Sequence, residues 1–177
     1  PLYHRAYKTI MRETPKNIII AGAGFAGITA ALTLEHLLKY KQMLRHEKTW
    51  RIILVDKNSY HLYTPSLYEI ASVPKESADA VHLKSAITIP IENILSGKRI
   101  TFFQGNITGI DRPRRMIRID EQELAYEFLV VALGSETNYF DIPGLREHAI
   151  PLKRFHDAVQ IRNKIEIASG EFQKTLS

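Results

Sequence analysis

Three continuous apolar runs punctuate the chain: Ile18–Gly22, Trp50–Asp56 and Glu127–Gly134. They lack the alternation of a half-buried strand and predict strands covered on both faces, as in a parallel sheet. Between the first two, Phe25 to about Arg45 reads as one helix, with Ile28, Ala31, Leu32, Glu35 and Leu38 sharing a face. A polar stretch, His46–Thr49, leads into the second strand. Strand, helix and strand form a βαβ unit, whose crossover makes the strands parallel. Arg99–Gln104 predicts a third strand. Asn106–Asp111, Met116–Asp120 and Glu123–Tyr126 alternate between turn signals and predict a three-stranded antiparallel meander. The intervening Asn58–Ser96 is mixed. Tyr60–Pro65 reads as an aromatic loop, Pro65–Ala71 as a short helix, and Ser85–Leu95 as another helix broken by Pro90. Ile142-Pro143-Gly144 marks a turn, and Phe155–Ala168 predicts a closing amphipathic helix. The expected class is α/β.

Composition narrows the chemistry more than the fold. The 177 residues, 45% hydrophobic and 24% charged, suit about one soluble globular domain. There is no cysteine, which removes disulfides, thiolate metal sites, iron–sulfur clusters and cysteine-dependent redox chemistry from this segment. The net charge is +5, yet basic residues are dispersed except in Arg112–Arg118, which reads as a solvated face rather than a nucleic-acid contact. No apolar stretch approaches the roughly 20 residues of a spanning helix, and no signal-peptide pattern opens the chain. Residues 1–16, basic and aperiodic, are expected to form an arm, 17–168 the folded domain, and 169–177 a tail.

The first apolar run ends in Gly22-Ala23-Gly24-Phe25-Ala26-Gly27, a G-x-G-x-x-G between strand and helix. There Gly22 permits a tight turn, Gly24 admits phosphates close to the backbone, and Gly27 lets helix and strand pack closely. Gly22, Gly27 and Thr29 also have the spacing of a phosphate-binding loop of NTPases, but Ile28 replaces the lysine that loop requires. Asp56, at the tip of the second strand, has two readings. It can accept hydrogen bonds from an adenosine ribose, repelling a 2′-phosphate, or it can hold a turn; its register with the glycines favours the ribose. No G-x-S-x-G elbow and no histidine pair at metal-ligand spacing is present, and no acid/base carboxylate pair stands out. His36 and His61 are expected to be packing residues. No catalytic or metal-binding side chain is expected, so a bound cofactor would carry the chemistry.

Three segments together are more specific than the glycines alone: Ile18–Leu34, Leu54–Pro65 with Leu67–Ala71, and Phe128–Phe140 with Ile142–Gly144. In this order they resemble the N-terminal part of type II NADH dehydrogenases, within the FAD-dependent pyridine nucleotide-disulfide oxidoreductases. The resemblance implies a Rossmann-like FAD-binding domain with a parallel sheet and a small antiparallel β-meander, incomplete because a late strand of the sheet comes from later in the chain. It implies FAD as cofactor, with Gly22, Gly24, Phe25, Ala26 and Gly27 around the pyrophosphate. Asp56 would meet the ribose, Lys57 the adenine, and the Ile107 backbone the adenine edge. Ala132, Leu133 and Gly134 would lie near the cofactor phosphates, and Thr64 and Pro65 near the isoalloxazine. NADH and quinone would be partners of a longer enzyme that lies peripherally at the cytoplasmic face of the membrane through its C-terminal part. The NADH-binding domain is absent from these residues, and the segment alone is expected to be inactive. A related two-dinucleotide reductase or a non-catalytic nucleotide-binding fragment is the alternative.

Overall fold

A computed structural model describes residues 16–45, 50–74 and 79–176. The expected arm before Lys16 and the polar stretch His46–Thr49 lie outside them. In chain order the elements begin with β1 (Lys16–Ala21), α1 (Phe25–Arg45), β2 (Trp50–Asp56) and β3 (Tyr60–Leu62). A 3-10 turn (Thr64–Ser66) leads to α2 (Leu67–Ser72), α3 (Ala80–Ile87), β4 (Thr88–Pro90) and α4 (Ile91–Ile94). There follow β5 (Ile100–Gln104), β6 (Ile107–Asp111), β7 (Met116–Ile119), β8 (Gln122–Ala125) and β9 (Phe128–Val131). The last helices are α5 (Leu145–His148) and α6 (Phe155–Leu176). These elements fall into two compact units, Pro1–Ser59 with Leu95–Gly134, and Tyr60–Ile94 with Ser135–Ser177.

The first unit is built on a four-stranded parallel sheet ordered β5-β2-β1-β9. Alternation along each strand sends Ile19, Ala21, Ile53 and Val55 to one face. There they form a core with Ile117 and Ile119 of the antiparallel β6-β7-β8 meander. Ile18, Ile20, Ile52 and Leu54 are buried on the other face, and α1 packs against β1 and β2 with Ile28 and Ala31 buried. Each isoleucine sealed in this way contributes about 1.5–3 kcal/mol. The third apolar run behaves differently from expectation. Its strand covers only Phe128–Val131 and lies at the sheet edge, with Phe128 and Val131 57% and 61% exposed. A strand with a neighbour on one side only leaves part of its apolar surface uncovered. The Arg112–Arg118 cluster is a solvated face as expected: Arg114 pairs with Asp111 and Glu123, Arg115 with Glu127, and Arg118 with Glu123. Such exposed pairs contribute little to stability.

The second unit has its own core of Leu67, Ile70, Leu83, Ile87 and Ala158, where α2 meets α6. Two expectations are corrected here. Tyr60–Leu62 is a strand rather than loop, and the helix expected over Ser85–Leu95 divides into the end of α3, the strand β4 that pairs with β3, and the short α4. Proline disfavours helical backbone in the residue before it, so Ile89 is extended and Pro90 ends the strand. His61 is buried within β3. Phe140 and Asp141 both take left-handed backbone, with φ of 51° and 55°, and the Ile142 N–H closes the turn on the Tyr139 carbonyl. The closing helix starts at Phe155, where the Asp157 carboxylate accepts from the Lys153 and Arg154 N–H groups, and runs past Ala168 to Leu176. Its covered strip is Phe155, Ala158, Val159 and Arg162, while Ile165 and Ile167 are exposed.

Candidate functional site: a glycine turn at the end of the parallel sheet

The three glycines after β1 have different constraints. Gly22 takes a φ of +104°, and its N–H donates to the Val55 carbonyl at 2.7 Å. A Cβ on Gly22 would stand 2.3 Å from the Ala132 carbonyl oxygen, and one on Gly27 would stand 1.8 Å from that of Gly22. Neither position accepts a side chain without the backbone moving. Gly24 is exposed, and a Cβ there would meet nothing within 4 Å. The first backbone bond at the start of α1 runs from the Ile28 N–H to the Gly24 carbonyl at 3.0 Å. The N–H groups of Gly24, Ala26 and Gly27 therefore precede the helical ladder, at the positive end of its dipole. Phe25, half-exposed, flanks them.

Asp56 fastens this turn to β2. Its Oδ2 accepts from the Ala23 N–H at 2.7 Å; its Oδ1 accepts from the Asn58 N–H at 2.8 Å and from Asn58 Nδ2 at 3.3 Å. The turn-holding role weighed from sequence is thus present, whatever further donor the carboxylate takes. Lys57 is exposed, and its carbonyl accepts from Gln104 Nε2 at 3.2 Å. The Asp56 carbonyl accepts from the Gly105 N–H at 3.0 Å.

Gly105 begins the approach to Ile107. A Cβ there would fall 2.5 Å from Ile119 Cγ2 and 2.7 Å from Asp120 Oδ2, so the β5–β6 link passes tightly against the second hairpin. The Asn106 N–H donates to Asp120 Oδ1 at 3.2 Å, and the Asp120 N–H donates to the Asn106 carbonyl at 2.8 Å. That last bond flanks the Ile107–Ile119 pair from outside, which makes it a non-hydrogen-bonded pair of the ladder. The Ile107 N–H and carbonyl consequently point away from β7, along the outer edge of the meander. A bulge follows at once, between Ile107 and Gly109.

At the end of β9 the Ala132 N–H donates to the Ala21 carbonyl at 2.8 Å, which sets Ala132 against Gly22. Leu133 is exposed, and Gly134 has a φ of +78°. The structure thus gathers Gly22, Gly27, Asp56 and Ala132 through direct contacts, with Lys57 and Ile107 reached through Gln104 and Gly105. Thr64 and Pro65 belong to the second unit, where they open the 3-10 turn as exposed residues. Nearby in sequence, a hydrogen bond to the Glu69 carboxylate and its negative charge hold the Tyr68 hydroxyl above the ordinary tyrosine pKa. Sequence reasoning missed Asn58 and Gly105. A donor two residues after a strand-ending Asp and a glycine directly after an apolar strand were the available signals.

A parallel sheet, a glycine turn opening a helix and an acid at the next strand's tip define a Rossmann-like dinucleotide-binding fold, here with small antiparallel sheets. The family model for pyridine nucleotide-disulphide oxidoreductases matches residues 16–168, and the chain belongs to that family. It is 26% identical over 156 residues to the type II NADH:quinone oxidoreductase of Staphylococcus aureus, covering 88% of this chain and 35% of that protein. Among solved structures it resembles NDH2 from Plasmodium falciparum in complex with NADH, with a TM-score of 0.59 at 25% identity over 83% of this chain and 28% of that one. The sulfide:quinone oxidoreductase of Aquifex aeolicus shares the fold, with a TM-score of 0.71 at 19% identity, covering 88% of this chain and 32% of that one. The chain therefore spans about a third of the length of the relatives it matches.

Proposed function

We propose that residues 17–168 form the FAD-binding part of an NADH:quinone oxidoreductase of the type II kind. The observation that carries this reading is the contrast within the glycine turn: packing accounts for Gly22 and Gly27, whereas the space beside Gly24 is open to an incoming group. A bound flavin supplies the hydride acceptor and the relay to quinone, and the chain binds and orients it. The N–H groups of Gly24, Ala26 and Gly27, with Phe25 beside them, face the pyrophosphate. Asp56 takes the adenosine ribose, Lys57 lies by the adenine, and the outward N–H and carbonyl of Ile107 meet the adenine edge. Ala132, Leu133 and Gly134 line the phosphate side, and Thr64 and Pro65 serve the isoalloxazine end.

NADH and quinone are the partners of the whole enzyme. Its membrane association, at the cytoplasmic face, resides in later parts of the protein; no helix among the described residues is long and apolar enough to cross a membrane. The exposed outer edge of β9 suits a further strand from that later part, which would raise flavin affinity above that of this segment alone. The test is titration of the full-length protein with FAD and with NADH. Stoichiometric FAD, with NADH oxidation that depends on both flavin and quinone, supports the reading; tight NADH binding without flavin contradicts it.

A further inference from the structure

Asp56 is held from both sides before any ligand arrives. A carboxylate offers about four acceptor directions, two on each oxygen. Asn58 fills both on Oδ1 with its backbone N–H and its Nδ2, while the Ala23 N–H takes one on Oδ2. One direction, on Oδ2, is left. Asp56 is only partly buried, and Asn58 lies directly on the turn that follows β2.

We propose that Asn58 is a positioning residue of the nucleotide site: it saturates Oδ1 of Asp56, so that Oδ2 alone receives one ribose hydroxyl while it anchors the glycine turn through Ala23. The argument rests on the dinucleotide reading of the preceding section and deepens it. Donors to a charged acceptor are strong, and the three here fix both the rotation of the carboxylate and the distance between β2 and the turn. The ribose end and the phosphate end of the site are thereby coupled through one side chain. The Asn58 amide is neutral, so it orients Asp56 without cancelling the negative charge that disfavours a 2′-phosphate.

The test uses full-length protein freed of its flavin and with its separate NADH site filled by NADH, titrated with ADP and its 2′-deoxy and 3′-deoxy analogues, together with amide exchange at Ala23 in the unliganded protein. With one acceptor direction open, one deoxy analogue binds like ADP and the other about tenfold more weakly; equal losses for both overturn the single-acceptor assignment. Asn58→Ala lowers ADP affinity by about three- to tenfold and speeds exchange of the Ala23 amide, while FMN, which lacks the adenosine half, loses less. Asn58→Asp, the same shape without the side-chain donor and with a like charge beside Asp56, lowers ADP affinity further. Unchanged ADP affinity and unchanged Ala23 exchange in both variants refute the positioning role, as does an equal loss of ADP and FMN, which marks a general folding defect. If the wild-type protein binds no ADP, the dinucleotide reading fails together with the ribose half of the proposal. Exchange at Ala23 in Asn58→Ala then still decides whether Asn58 anchors the turn.

Discussion

β1 and β9 pair in register, Ile18 with Phe128 through Ala21 with Val131, and both are apolar over these four residues, yet they are buried to very different extents. Ile19, Ile20 and Ala21 are sealed on both faces, whereas Phe128 and Val131 are mostly open. β1 has β2 on one side and β9 on the other, with α1 and the meander covering its faces. β9 has β1 alone. The ends of the two strands differ in the same sense: Gly22 turns against the backbone of Ala132, while a Cβ on Gly134 would meet nothing within 4 Å. A continuous apolar run therefore specifies a strand of a parallel sheet, and the number of neighbours decides how much of it is covered.

Four substitutions sharpen or break this contrast. The largest effect belongs to Gly27→Ala at the sealed end, where the new methyl meets the Gly22 carbonyl at 1.8 Å. A destabilisation of at least about 3 kcal/mol is expected, read from denaturant unfolding; a fully stable variant would mean the turn is not closed as described. Next, Ile20→Ala in β1 should cost about 2–5 kcal/mol. Its counterpart Val131→Ala at the exposed end of β9 should cost no more than about 0.5 kcal/mol. Similar losses in both would erase the difference between centre and edge. Between these two falls Gly134→Ala, about 1–2 kcal/mol from left-handed backbone alone, since no neighbour obstructs the methyl. A cost as large as that of Gly27→Ala would place hidden packing at the end of β9.

Legibility in the sequence follows the same division. β1 and β2 were predictable from continuous apolar runs, α1 from its helical period and the meander from alternation between turn signals, and β2 has the expected bounds of Trp50 and Asp56. Strand exposure was not, because Phe128–Val131 carries no mark of having one neighbour. The β3–β4 pair was hidden for a different reason: three-residue strands are too short to show a period, and Pro90 reads as a helix breaker as readily as a strand end. At the site, the glycine spacing and the strand-ending Asp56 were visible in one dimension. The junction of Ala23, Asp56 and Asn58 was not, since it joins residues 33 positions apart through a backbone N–H that every residue but proline carries. Gly105 escaped for want of a motif; only the packing of Ile119 and Asp120 explains it.

Gly24 offers the most direct test of the central claim, that the turn after β1 is shaped for a dinucleotide pyrophosphate. Its Cβ direction is empty and its φ is not left-handed, so Gly24→Ala should leave the folded protein intact. The measurement is FAD titration of wild type and Gly24→Ala by calorimetry, alongside their unfolding curves. The account predicts superimposable unfolding of the ligand-free proteins and FAD binding weakened by about tenfold or more, as a methyl displaces the phosphates from the N–H groups. Equal FAD affinity in the two proteins would contradict it.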